Sequence, residues 1–181
     1  MIQYAMLYIV TALKSESQAF VEKYRLTKTN YSGYTVFEGK ELRVIVSGVG
    51  VESVKKASSF LLENFAVSDD DTFINVGICG ANREHNIGTL LAIGSIIYRG
   101  KNYKVSTEPH TITCVDEEIS QDFYILADME SFGFYEALKE MQNYHIFKVV
   151  SDHFEPESVT KDATKKLIFS AIDAMMREVR R

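Results

Sequence analysis

Apolar runs of strand length alternate with segments of helical period along most of the chain, and this rhythm limits the fold more than any single motif does. It is the sequence form of an α/β layer architecture, in which helices cover a largely buried sheet. Strands are expected near residues 4–12, 34–38, 42–47, 72–77, 90–99, 111–115, 122–127 and 145–150. Helices are expected near 16–24, 50–65, 131–142 and 157–179. The last carries Ala163, Leu167, Ala171, Met175 and Val179 at every fourth position, an apolar stripe to lay on the sheet. Between Leu90 and Cys114 three strand runs follow one another without a helix, which suggests antiparallel pairing around Gly94 and Gly100. The expected fold is α/β, with a central mixed β-sheet flanked by helices.

A chain of 181 residues with 46% hydrophobic composition can build one sizeable core. Its two prolines, 109 and 156, make no linker, so residues 1–181 are expected to form one domain. A net charge of −5 offers no footprint for a polyanion, and nucleic acid is excluded as a partner. The one basic cluster, Lys161 to Lys166 with Arg177, Arg180 and Arg181, is interleaved with Asp162 and Asp173 and reads as a solvated helix face. Cys79 and Cys114 sit in apolar surroundings without CxxC spacing, which points to reduced thiols rather than a disulfide framework. The apolar opening Ala5 to Leu13 lacks the charge and cleavage pattern of a signal peptide, and no run approaches the roughly 20 residues that cross a bilayer. A cytoplasmic protein with no membrane partner is expected.

Three carboxylates fall where an apolar strand gives way to a polar segment: Glu16, Glu130 and Asp152. In open α/β sheets ligands collect beyond the carboxyl ends of the strands, so acids there are poised over a site. Each also has an ordinary reading. Ser15 with Gln18 can form a capping box, leaving Glu16 to complement the helix dipole. Glu130 can be a first-turn acid behind Asp128 as N-cap, and Asp152 a turn residue. Their recurrence at three strand exits favours acid/base chemistry on a small neutral or cationic substrate.

Ser47-Gly48-Val49-Gly50 follows a strand and opens a helix, where backbone amides can face a ligand oxygen. Ser53 stands where a dinucleotide fingerprint needs its third glycine, which disfavours a nicotinamide enzyme, and no cofactor is expected. Asn75-Val76-Gly77-Ile78-Cys79-Gly80 reads either as a glycine turn that brings backbone close to a ligand or as a β-bulge. His85, His110 and His145 lack ligand spacing, His153 reads as solvated, and no metal is expected.

Taken in order, Ala12-x-x-x-Glu16, Ser47-Gly48-Val49-Gly50, Asn75-Val76-Gly77-x-Cys79-Gly80, Asp128-Met129-Glu130 and Ser151-Asp152 resemble the motifs of the purine nucleoside phosphorylase and nucleosidase superfamily. In particular the chain resembles the methylthioadenosine/S-adenosylhomocysteine nucleosidases. The resemblance implies cleavage of a nucleoside's N-glycosidic bond, with Asp152 protonating the purine, Glu16 activating water, and Glu130 holding the ribose hydroxyls beside Met129. It also implies substrate contacts from Val49, Ile78, Gly80 and Ser151. Cleavage passes through an oxocarbenium-like sugar, so it asks for a protonated acid at the base and an ionised base at the nucleophile.

Two departures from the resemblance bear on the reaction. Asn75 and Ile78 stand where related phosphorylases carry a phosphate-holding arginine and serine, so hydrolysis is expected over phosphorolysis, the alternative. The segment between Gly80 and Met129 is shorter than in the family, with Glu118 in place of a stacking aromatic. Phe123, Tyr124, Phe132 and Phe134 are substitutes to consider, though their spacing suits a core. A partner subunit can complete a shortened pocket, so a homodimer is expected, and a non-catalytic nucleoside binder is the further alternative.

Overall fold

The computed structural model describes residues 5–181, so Tyr4, where the first strand was expected to begin, lies outside the described residues. The elements run β1 (Leu7–Thr11), α1 (Lys14–Tyr24), β2 (Thr27–Tyr31), β3 (Tyr34–Glu38), β4 (Leu42–Val46), α2 (Val51–Asn64) and β5 (Thr72–Ala81). There follow β6 (Leu90–Tyr98), β7 (Lys101–Lys104), β8 (His110–Cys114), β9 (Leu126–Asp128), α3 (Ser131–Leu138), β10 (Tyr144–Asp152) and α4 (Lys161–Val179). The sheet is mixed and flanked by helices, as the alternation implies.

Alternate side chains of β1 serve the two faces. Tyr8 and Val10 pack with Val54 and Leu61 of α2 and with Phe134 of α3. Ile9 packs with Phe20 of α1 and with Ile168 and Ile172 of α4. Each such fully buried aliphatic or aromatic side chain contributes about 1.5–3 kcal/mol. Among the described residues no helix is long and apolar enough to cross a membrane.

Strand β5 positions the site. It runs parallel to β10 along its length, while its other edge is shared: β1 pairs with Thr72–Asn75, and β9 with Gly80 and Ala81. From Val76 to Cys79 that edge has no strand neighbour. Strands β5, β10, β6, β8 and β9 pair in a closed circuit, and the split between β1 and β9 opens beside it. Strand β1 ends there, β5 runs on past it to Ala81, and β9, antiparallel to β5, delivers its exit to the same split from the opposite direction.

Several expectations need correction. Gly77 and Gly80 lie within a strand that continues to Ala81, and the irregularity is a register shift in β10 between Val150 and Asp152. Gly100 turns the antiparallel β6–β7 pair, but β6 and β8 are parallel, with a register shift spanning Gly94. The strand expected at 122–127 shrinks to Leu126–Asp128, α3 ends at Leu138, and α4 begins at Lys161 behind a short 3₁₀ turn, Pro156–Ser158. Thr160 caps α4 by accepting from the Ala163 N–H. Its buried stripe is Thr164, Ile168, Ala171, Ile172, Met175 and Met176, and Ala163 is exposed. A strict four-residue spacing drifts around a 3.6-residue helix, so the true stripe steps by three and four. Strands β2 and β7 are mostly exposed and carry no apolar run, which hid them.

Candidate active site

Helix α1 begins at Lys14 with Leu13 as N-cap, so the expected Ser15–Gln18 capping box is not what starts it. Glu16 falls at the third helical position and reaches back to the helix start. Its Oε2 accepts from the Ala12 and Leu13 N–H groups at 3.0 and 2.9 Å. Its Oε1 crosses the split and accepts from the Ile78 N–H of β5 at 3.0 Å. The capping role is real, and the same carboxylate also fills the missing strand contact.

On the far side of the split, Asp128 accepts from the Ser131 N–H at 2.9 Å and the Ser131 hydroxyl at 2.6 Å, securing the first turn of α3. Glu130 itself stands at the N-cap position, not inside the helix. It accepts from the Gly50 N–H at 3.3 Å and the Met129 N–H at 3.2 Å. Gly50 has φ +101°, a backbone state that favours glycine and aims its N–H at Glu130.

Asp152 ends β10. Its Oδ2 accepts from the Glu155 N–H at 2.9 Å, closing a turn, while the Ser151 hydroxyl lies against its Oδ1. That hydroxyl is also 3.2 Å from the Cys79 carbonyl. When Asp152 is ionised, Ser151 can donate to it; when Asp152 is protonated, the acid can donate to Ser151 and Ser151 to Cys79. Both states are satisfied without rearrangement.

Lys148, which sequence reading passed over, is the centre of charge. It is 0% exposed, with Nζ 2.8 Å from Asp128 Oδ2 in an ion pair whose alignment is not that of a good hydrogen bond. The signal was a lone lysine inside the apolar strand Ile146 to Val150, a residue type almost never fully buried unless paired. Burial alone would push its ammonium down, but Asp128, Glu130 and Glu16 outweigh that and hold it charged. Gly77 makes room for this meeting: a Cβ there would lie 3.1 Å from Glu16 Oε1 and 3.4 Å from Lys148 Nζ.

Three carboxylates surround that single ammonium. Burial raises the Glu16 carboxyl, against its N–H donors and Lys148. Burial lifts Glu130 to about 7; Asp128 and Glu16 add to the rise, and Lys148 and the Gly50 N–H oppose it. The Glu130 carboxyl, raised that far, exchanges protons near neutral pH, the range in which acid/base catalysis is most effective. The thiols of Cys79 and Cys114 are buried and pushed up, which makes them inert packing groups.

The split opens into a cavity of about 320 Å³, within the range of small-molecule sites. Glu16, Val49, Ile78, Gly80, Met129, Glu130, Ser151 and Asp152 all line it. Asn75 does not: it is buried, and its amide donates to the Val10 carbonyl. None of the four aromatics considered from the sequence lines it. Phe123 is exposed, Phe134 is core, Phe132 stacks on Tyr98, and Tyr124 faces elsewhere. The aromatic that does is Phe154, set at φ +60° and packed on Gly80. His153 is not simply solvated, since its Nδ1 lies 3.0 Å from the Ala81 carbonyl. Among the described residues no group of three or more His, Cys, Asp or Glu side chains has the arrangement of a metal site.

No family model matches the chain, and no curated protein does. Solved structures do. Futalosine hydrolase of Helicobacter pylori superposes with a TM-score of 0.81 at 13% identity, over 96% of this chain and 98% of that one. The 5′-methylthioadenosine/S-adenosylhomocysteine nucleosidase of the same organism, solved with butyl-thio-DADMe-Immucillin-A, gives 0.81 at 13%, over 97% and 100%. A putative nucleosidase of that kind from Francisella philomiragia gives 0.80 at 18%, over 98% and 100%. The chain therefore shares its fold with these solved hydrolase and nucleosidase structures.

Proposed function

We propose that the chain hydrolyses the N-glycosidic bond of a purine-type nucleoside, releasing free base and ribose. The observation that carries this reading is the convergence of Glu16, Glu130 and Asp152 on one cavity from three separate elements. Glu16 and Asp152 meet β5 at Ile78 and Gly80. These stations are two residues apart, about 7 Å of strand. The two acids therefore enter the cavity at neighbouring points of one strand, where a protonated acid and an ionised base can serve a single bond. Asp152, able to hold or release a proton against Ser151, protonates the leaving base. Glu16, held by three N–H groups, takes the proton of the attacking water. Glu130 accepts from the ribose hydroxyls beside Met129, and these bonds strengthen as the sugar becomes cationic.

Water is the nucleophile in this reading. Neither Lys nor Arg is among the described residues that line the cavity, so a phosphate ion would find carboxylates and no guanidinium or ammonium to orient it. The solved nucleosidases with this fold support the same reaction class. A homodimer and a cytoplasmic location belong to the reading too. Val49 at the cavity is 48% exposed, and a second copy seated there would close the cavity to bulk solvent.

A chromatographic assay for released base, over a nucleoside panel with and without phosphate, tests the proposal. Release independent of phosphate and abolished in Asp152→Asn is the expected result. Phosphate-dependent release would overturn hydrolysis, and binding without release would leave a nucleoside-binding protein.

A further inference from the structure

Five carboxylates line the cavity, and the protein occupies four of them. Glu16 accepts from three backbone N–H groups, Glu130 from two, Asp128 from Ser131 with the Lys148 ammonium beside it, and Asp152 from Ser151 and Glu155. Glu118 is the fifth, and it makes no hydrogen bond or ion pair with any described residue. Yet the segment that carries it is anchored. The Val115 N–H donates to the Asp128 carbonyl at 2.8 Å. Asp116 takes the Tyr98 hydroxyl at 2.8 Å and the Arg99 guanidinium at 3.1 and 3.2 Å. An acid two residues beyond such a clamp is presented to the cavity with its acceptor capacity unspent.

The surroundings of Glu118 decide what it can accept. A nucleoside has a polar sugar and a flat, largely apolar base. Glu16 and Glu130 take the water and the sugar and Asp152 the edge of the base that it protonates, which leaves the rest of the base for the apolar lining of Val115, Ile119, Phe154, Pro156 and Val159. That lining supplies no side-chain donor, and Glu118 is its one charged acceptor. A base whose edge carries two adjacent N–H donors satisfies both oxygens, as the ring N–H and 2-amino group of a guanine-type purine do. An adenine-type edge sets a ring-nitrogen lone pair beside its amine, and that lone pair meets the carboxylate unpaired.

Resting on the nucleosidase reading, we propose that Glu118 is the specificity-determining residue of the base site and selects a nucleoside whose base presents adjacent N–H donors, guanine-type over adenine-type.

The test compares guanosine, inosine and adenosine, each with a free 5′-hydroxyl and as its 5′-methylthio derivative, on the wild type, Glu118→Ala and Glu118→Gln. A charge-assisted pair predicts kcat/KM about tenfold or more higher for the guanine-type substrates, with inosine between. Glu118→Ala brings the three together, and Glu118→Gln, which adds a donor, moves the preference toward adenosine. An adenine preference in the wild type, or a guanine preference unchanged in Glu118→Ala, overturns the inference. Calorimetric titration of guanosine and adenosine into Asp152→Asn separates this from the reaction itself. If no nucleoside is cleaved, hydrolysis fails, while guanosine binding that is tighter and loses its advantage in Asp152→Asn/Glu118→Ala keeps the role of Glu118. Equal affinities, or no binding of either, overturn it.

Discussion

The floor and the rim of the cavity are built on opposite terms. On the floor, Glu16, Asp128, Glu130, Lys148 and Asp152 are all buried, and every carboxylate among them is held by N–H or hydroxyl donors or by the ammonium. On the rim, Val49 and Glu118 face solvent, and beyond them Phe123 and Ile125 are 78% and 58% exposed. A floor so fully bonded cannot shift to suit different ligands, so it fixes the reaction. The rim has contacts to spare and governs which ligand enters and what second surface covers it.

The largest break in this comparison comes from the floor acids. Asp152→Asn keeps the shape but cannot supply a proton, and Glu16→Gln keeps the size and, through its one carbonyl oxygen, only part of the bonding to the N–H groups, and cannot take a proton. Each is expected to lower kcat by about 10²–10⁴, the range for a lost general acid or base, with the fold intact by circular dichroism. Near-normal turnover in either variant would remove that residue from the chemistry.

Lys148→Met should cost the most stability. It leaves Asp128 and its neighbours as uncompensated buried charge, and breaking a buried pair this way costs about 3–5 kcal/mol. Urea denaturation measures it. Adding Asp128→Asn should recover part of the loss, because the stranded charge goes with it. A double variant worse than the sum of the singles would contradict the ion-pair account.

Glu130 gives the floor a pH signature. Buried, its carboxyl is raised to about 7, whereas in the unfolded chain it ionises near 4.5. Its contribution is therefore whole below pH 4.5 and is lost as pH rises to about 7, a change of about 3 kcal/mol. Stability measured by denaturant across that window should fall less in Glu130→Gln than in the wild type. Parallel curves would show that Glu130 is ionised throughout.

The sequence exposed the floor acids because each sits where an apolar strand stops, a local pattern that needs no knowledge of pairing. What it could not expose was direction. Glu130 reaches the site from a strand antiparallel to β5, and only the register of β9 on Gly80 and Ala81 shows why the two ends meet. Lys148 was visible as an odd charge in an apolar run, but its partner lies twenty residues away on another strand. Phe154 had no signal, since its place on Gly80 depends on a left-handed turn that no spacing encodes. Strands β2 and β7 were hidden because exposed edge strands need no apolar face.

The rim offers the gentlest test. Asp116 holds the segment after β8 through Tyr98 and Arg99, touches no reacting group in the proposed mechanism, and is half exposed. Exposed pairs of this kind contribute little to folding, so Asp116→Ala should unfold at nearly the wild-type urea concentration. Its effect should fall on the wall that carries Glu118: a few-fold rise in KM with kcat unchanged, because the floor is untouched. Asp116→Asn, which keeps an acceptor for Tyr98, should recover part of that rise. A fall in kcat of the same size would mean that floor and rim move together, and that the segment after β8 helps to set the acids as well as the base.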